Sequence, residues 1–159
     1  MQQIAIIWAW AAWLMAAATI LEWNSEGFQI HLFDKNPLPW RKVALSGWGR
    51  CNLTTGIDNK KLLLSKYTRG SDFIKKSLGK FSPEKCRAWF ESHGLPLKTQ
   101  DDNRVFPCSD DWWDVVEVFE NIFAKYRDTI IPHYGEGVSV IARNHFCWTC
   151  FSKAIQKTN

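Results

Sequence analysis

Residues 4–21, IAIIWAWAAWLMAAATIL, contain no charged side chain, and whatever they form decides what the rest of the chain can be. A run of this length just reaches what a helix needs to span a bilayer. The flanks argue against that use. A secretory leader would carry a basic region first, and only Met1, Gln2 and Gln3 precede the run. Glu22 and Glu26 follow it, so no positive flank sets an orientation. The interior is also punctuated. Ile4-Ala5-Ile6-Ile7 reads as a short buried parallel strand. Ala11 to Leu21 is rich in Ala, Leu and Met, which favour helix. Strand, turn and helix is therefore the preferred reading. A small membrane-anchored protein using residues 4–21 as its anchor is the alternative.

The turn is occupied by Trp8, Trp10 and Trp13. Glycine at those three positions would give GAGAAG, the G-x-G-x-x-G spacing of a dinucleotide-binding turn between a strand and a helix. In that turn the first glycine permits the tight bend, the second lets backbone approach a pyrophosphate, and the third lets helix and strand pack closely. A second apolar run, Phe28 to Phe33, ends in Asp34, placed where a carboxylate would hold a ribose. Other tryptophans also stand where glycine makes physical sense. Trp23 ends the expected helix, Trp40 lies in the proline-crowded NPLPWRK, and Trp48 sits between two glycines in SGWGRCN. Ten tryptophans are unusual for 159 residues. Trp89 is the contrast: with Phe81, Cys86 and Phe90 it completes an apolar helix face. Trp112, Trp113 and Trp148 stay undecided.

With glycine at those sites, IAIIWAWAAWLMAAA, HLFDKNPLPWRKVALSGWGRCNLTTG, WFESHGLPLKTQDDNRVFP and YGEGV resemble the amino-terminal part of the BaiN-like, or aminoacetone oxidase-like, family of NAD(P)/FAD-dependent oxidoreductases. The resemblance runs from about residue 3 to about residue 142. It departs at Trp8, Trp10, Trp13, Trp40 and Trp48, and at Asp34, where the family more often has Glu. Family members are longer, so the resemblance is that of a fragment. It implies an incomplete α/β fold: a Rossmann-like FAD-binding domain with a parallel sheet and a mainly helical insertion. It implies FAD as cofactor, NAD(P)H as electron donor and a small-molecule substrate. It places cofactor contacts at Trp8, Trp10, Ala12, Trp13, Asp34, Lys35, Arg41, Lys42, Ser46, Gly47, Gly49, Arg50, Asn52 and, through its backbone, Val138. A systematic exchange of glycine for tryptophan points to UGA codons that the source organism decodes as glycine; UGG codons at these sites would exclude it.

The remaining chain fits this frame. The expected organisation is a first part of the FAD-binding domain over residues 1–56, a mainly helical segment with a short hairpin over 57–127, a return to the sheet over 128–144, and a divergent tail over 145–159. SGWGRCN reads as a glycine-rich loop whose N–H groups can cradle phosphate, or as an ordinary surface turn. Ser82 and Pro83 open a helix that runs to about Ser92, with Ser82 as N-cap. Residues 95–107 read as a hairpin around Asp101-Asp102-Asn103. Ser109 or Asp110 caps the next helix, whose core face is Val115, Val116, Val118, Phe119, Ile122 and Phe123. Strands are expected over 129–134 and 137–142.

Residues 60–87 are strongly basic, which admits a basic binding module without catalysis, but the lysines fit the solvent face of helices with Phe73, Ile74 and Leu78 inside. No aromatic stacking platform is evident, so no nucleic-acid partner is expected, and on the preferred reading no membrane either. Five cysteines show no disulfide framework, and an odd count suits a reducing, cytoplasmic setting. Cys147-x-x-Cys150 could be a redox or metal pair but lies in the divergent tail, and no metal site is expected. His31 reads as a strand residue rather than a base, and His93 as a helix-end residue. No catalytic residue can be assigned. In flavoenzymes the cofactor carries the hard chemistry, so this does not count against an oxidoreductase.

Overall fold

The computed structural model describes residues 2–23, 26–138 and 150–152. Its elements in chain order are β1 (Gln2–Ile7), α1 (Ala11–Trp23), β2 (Phe28–Asp34), α2 (Arg41–Leu45), β3 (Thr54–Thr55), α3 (Lys60–Ser65), α4 (Ser71–Lys80), α5 (Pro83–Ser92), β4 (Leu97–Thr99), β5 (Arg104–Pro107), α6 (Trp112–Lys125), β6 (Ile130–Tyr134), β7 (Glu136–Val138) and β8 (Cys150–Ser152). The opening run is thus a strand, a turn and a helix. Among the described residues no helix is long and apolar enough to cross a membrane. The fold is the expected α/β, Rossmann-like arrangement.

Two compact units are present, Met1–Val43 with Phe119–Asn159, and Ala44–Val118.

The first unit holds the parallel sheet, in the order β1-β2-β6. Ile4 lies beside Ile30, and Ile30 beside Ile130. The strands alternate: Ile30 and Leu32 are fully buried, whereas His31 between them is half-buried. α1 packs against β1 and buries Leu14, Ala17, Ala18 and Leu21. Small alanines on that face let the helix come close to the sheet. Complete burial of Leu14 and Leu21 contributes about 2 kcal/mol each. β7 follows β6 through Gly135, at φ +84°, and pairs antiparallel with β8. The expected strand over residues 137–142 is described only as far as Val138, and Cys147 lies outside the described residues.

Trp40 corrects the sequence reading. It is 7% exposed, and its ring stacks at 6.5 Å on both Phe119 and Phe123 and meets Tyr134 edge-on at 6.4 Å. It also hydrogen-bonds the carboxylate of Glu120. A glycine there would leave a large void, so by its surroundings Trp40 is a core tryptophan.

In the second unit β3, β5 and β4 form a small antiparallel sheet, with the β4–β5 hairpin turning at Asn103, at φ +64°. Ser82 caps α5 as expected, its hydroxyl accepting from the Lys85 N–H, and Pro83 holds the first turn. The cap of α6 differs from expectation. Asp111 accepts from the Trp113 N–H at 2.9 Å, while Ser109 accepts from Asp111 and Asp110 adopts φ +59°. The core face expected on α6 is buried at every named position, Val115 to Phe123, although those residues divide between the two units. Phe73 departs from expectation: α4 buries no residue, and Phe73 is 86% exposed.

Candidate cofactor-binding turn

The carboxyl ends of the three parallel strands meet in the first unit. Trp8 follows β1, and its N–H donates to the Phe33 carbonyl at 2.7 Å. Its φ is +80°, a conformation that favours glycine. Three residues later α1 begins, with Trp13 and Leu14 donating to the Trp10 carbonyl at 2.9 Å. The first glycine position of the motif therefore has the backbone of a glycine. Trp10 and Trp13 have ordinary negative φ, as fits their roles of close approach and helix packing.

Asp34 closes the turn from the end of β2. It is 2% exposed, and Oδ2 accepts from the Ala9 N–H at 2.9 Å. Oδ1 accepts from the backbone N–H and the side-chain amide of Asn36 at 2.8 and 2.9 Å. The Asp34 carbonyl accepts from Gly135 at 2.8 Å, which ties β6 and β7 to the same corner. Val138 lies on β7, which touches β2, and Lys35 and Ala12 are exposed at the ends of β2 and the start of α1. The unit thus places Trp8, Trp10, Ala12, Trp13, Asp34 and Lys35 at the ends of β1 and β2 and the start of α1, with Val138 on β7.

The indoles crowd that corner. Trp8, Trp10 and Trp13 are 50, 40 and 44% exposed, so none enters the core. Trp8 and Trp10 stack at 5.7 Å, and the Lys42 ammonium sits 3.1 Å from the centre of the Trp10 ring. This cation–π contact engages a side chain that the resemblance assigns to the cofactor. Arg41 is exposed at the start of α2.

The glycine-rich loop belongs to the second unit. Gly47, Trp48, Gly49 and Cys51 have φ of +60, +59, +83 and +58°. Gly47 has no room for a side chain: a Cβ there would lie 2.9 Å from the Asn52 nitrogen and from the Phe106 ring. Trp48, 96% exposed, has glycine's backbone without a packing reason for its ring. Ser46 accepts from the Cys51 N–H at 3.0 Å through its carbonyl, and Asn52 Oδ1 accepts from Val105 at 3.2 Å, so the loop is anchored on β5. Burial pushes the Cys51 thiol up, which keeps it protonated and unreactive.

Arg50 ends this loop. Its guanidinium lies 4.1 Å over the Phe106 ring and 3.6 Å from Asp110 Oδ1. Lys98 reaches the other oxygen, Oδ2, at 2.5 Å, and this bond, then Arg50, holds the Asp110 carboxyl below its ordinary range. Asp110 Oδ1 is occluded and accepts no hydrogen bond. The sequence had offered Asp110 only as a helix cap. Nothing in its spacing marks it as the partner of Arg50, because that pairing arises from the β4–β5 hairpin. The Lys42–Trp10 contact was likewise invisible in sequence.

A strand-turn-helix with a left-handed first position, a buried carboxylate at the end of the next strand and a helix N-terminus facing the gap define a Rossmann nucleotide-binding domain. The profile of the HI0933-like protein Rossmann domain matches residues 2–145. The chain belongs to this family, whose Rossmann domain is of the FAD-binding oxidoreductase type.

Proposed function

We propose that this turn binds the pyrophosphate of FAD, and that the chain is the FAD-binding portion of a flavoprotein oxidoreductase of the BaiN-like, aminoacetone oxidase-like kind. The observation that carries the reading is the corner itself. Trp8 holds a glycine backbone, Asp34 is fixed by Ala9, and α1 presents its N-terminus beside them. Asp34 would take the ribose hydroxyls, and backbone N–H groups at residues 10–12 the phosphates. Bound flavin would supply hydride and electron transfer, with NAD(P)H as donor and a small molecule as substrate.

The backbone fits this ligand and three side chains do not. A pyrophosphate must touch backbone where the indoles of Trp8, Trp10 and Trp13 now stand. We therefore propose that glycine is the functional residue at 8, 10, 13 and 48, written as tryptophan because UGA was read with the wrong codon assignment. Trp40 is withdrawn from this set by its buried aromatic surroundings. The test is direct sequencing by mass spectrometry of peptides from the source organism that cover residues 8, 10, 13, 40, 48 and 89. Glycine at 8, 10, 13 and 48, with tryptophan at 40 and 89, supports the proposal. Tryptophan at 8 and 48 overturns it.

A further inference from the structure

A cavity of about 410 Å³ opens inside the second unit. Its lining comes from Thr55 of β3, Arg104 of β5, Leu63 of α3, Leu78 of α4 and Cys86 of α5. Two of these walls are tied together. Arg87 on α5 donates to the Thr55 carbonyl at 2.7 Å and to Asp58 Oδ1 at 2.6 Å. Tyr67 and Phe81 also line the space and stay half exposed. The cavity accounts for a helix without a core. α4 buries no residue, because its Leu78 meets open space. An apolar body seated there would give α4 the contacts it lacks, and removal of that apolar surface from water would drive its binding.

The polar part of the lining offers donors. Arg104 stands opposite Thr55 in register and is oriented by Asp102, which accepts its backbone N–H at 3.1 Å and its Nε–H at 2.6 Å. Both terminal nitrogens of the guanidinium are left without a hydrogen-bond partner among the described residues. Two parallel N–H groups at that end match the two oxygens of a carboxylate. Asn52 Oδ1 accepts from the Val105 N–H at 3.2 Å, next to Arg104 in the chain, which leaves the amide protons of Asn52 to donate. Burial pushes the Cys86 thiol up, so it stays protonated and forms a soft apolar wall rather than a nucleophile.

We propose that this cavity binds a small molecule with an apolar body and a terminal carboxylate, the body against Leu63, Leu78 and Phe81 and the oxygens on Arg104 and Asn52. Asp102 offsets the charge of Arg104, so a bare anion finds little net attraction and the apolar body supplies most of the affinity. Naming this carboxylate as the substrate rests on the oxidoreductase reading above; the cavity itself does not.

The experiment uses the chain as it stands, without flavin. Alkylation of Cys86 by N-ethylmaleimide is followed by peptide mass spectrometry, with the exposed Cys108 as internal control. Phenylpropionate is the probe, and phenylpropionamide and inorganic phosphate are the comparisons. At about ten times its Kd the acid should slow alkylation of Cys86 roughly tenfold and leave Cys108 unchanged. The amide should bind at least about tenfold more weakly, and Arg104→Gln should remove that preference. Phosphate should not protect. Hydrogen exchange over Ser71–Lys80 should slow with the acid bound, a readout in the parent chain that needs no variant. Absence of protection by the acid up to about 10 mM would overturn the inference. Equal protection by phosphate or by the amide would overturn it too, as would an acid preference that survives in Arg104→Gln. Flavin binding by the glycine variant together with an unprotected Cys86 would overturn this inference and leave the cofactor reading standing; protection in a chain that binds no flavin would support the cavity and remove the name of substrate.

Discussion

The same substitution should move stability in opposite directions at two tryptophans. Trp48 sits at φ +59° and is 96% exposed. A side chain held in the left-handed region costs about 1–2 kcal/mol, and glycine returns roughly 0.5–1 kcal/mol of that through its greater freedom when unfolded. Trp48→Gly should therefore stabilise the chain by about 0.5–1 kcal/mol, which for this size raises Tm by roughly 2–4 °C per kcal/mol. Trp40 is 7% exposed between Phe119, Phe123 and Tyr134. Emptying that site should cost at least about 3–5 kcal/mol. Urea denaturation followed by far-ultraviolet circular dichroism measures both, since tryptophan fluorescence changes with the substitution itself. Equal slopes with midpoints shifted up for Trp48→Gly and down for Trp40→Gly are expected. A loss of 1 kcal/mol or more in Trp48→Gly would refute the conformational argument, as would a neutral Trp40→Gly.

Asp34→Ala should cost about 3 kcal/mol, because it leaves the buried Ala9 N–H without its acceptor and frees Asn36; chemical denaturation checks this. Gly47→Ala should destabilise by at least about 1–3 kcal/mol, since its Cβ would lie 2.9 Å from both the Asn52 nitrogen and the Phe106 ring; the same assay reads it. Lys98 and then Arg50 depress the Asp110 carboxyl below 3.8, so the stability it lends is present above that value and lost as pH falls through the folded one. Asp110→Asn should flatten that part of an acid denaturation curve.

Local patterns carried most of the fold. Ile4–Ile7, Phe28–Asp34 and Ile130–Tyr134 announced themselves as strands by short apolar runs, and Ser82-Pro83 announced α5 by its cap. The site was legible wherever it depends on chain order, as with Trp8, which follows the first strand of one strand-helix-strand unit, and Asp34, which ends its second strand. It was illegible wherever it depends on side chains meeting across elements. Trp40 looked like a glycine position because prolines surround it in sequence, yet its neighbours in space are aromatic residues of α6 and β6. Asp110 looked like a cap because it precedes a helix, and only the hairpin brings Lys98 to it. His31 gave no hint of a partner, since His133 lies far along the chain and meets it through parallel pairing.

The central claim is that the corner formed by Trp8, Ala9, Asp34 and α1 is a flavin site obstructed by indoles. Titrating FAD into the chain as written, and into the variant carrying Trp8→Gly, Trp10→Gly, Trp13→Gly and Trp48→Gly, tests it most directly, with quenching of flavin fluorescence as the signal. Relieving overpacking at three contacts, each about 1–3 kcal/mol, should tighten binding at least about a hundredfold. Saturable quenching confined to the glycine variant, and abolished there by Asp34→Ala, is the predicted result. Equal affinity in the two chains would contradict the account.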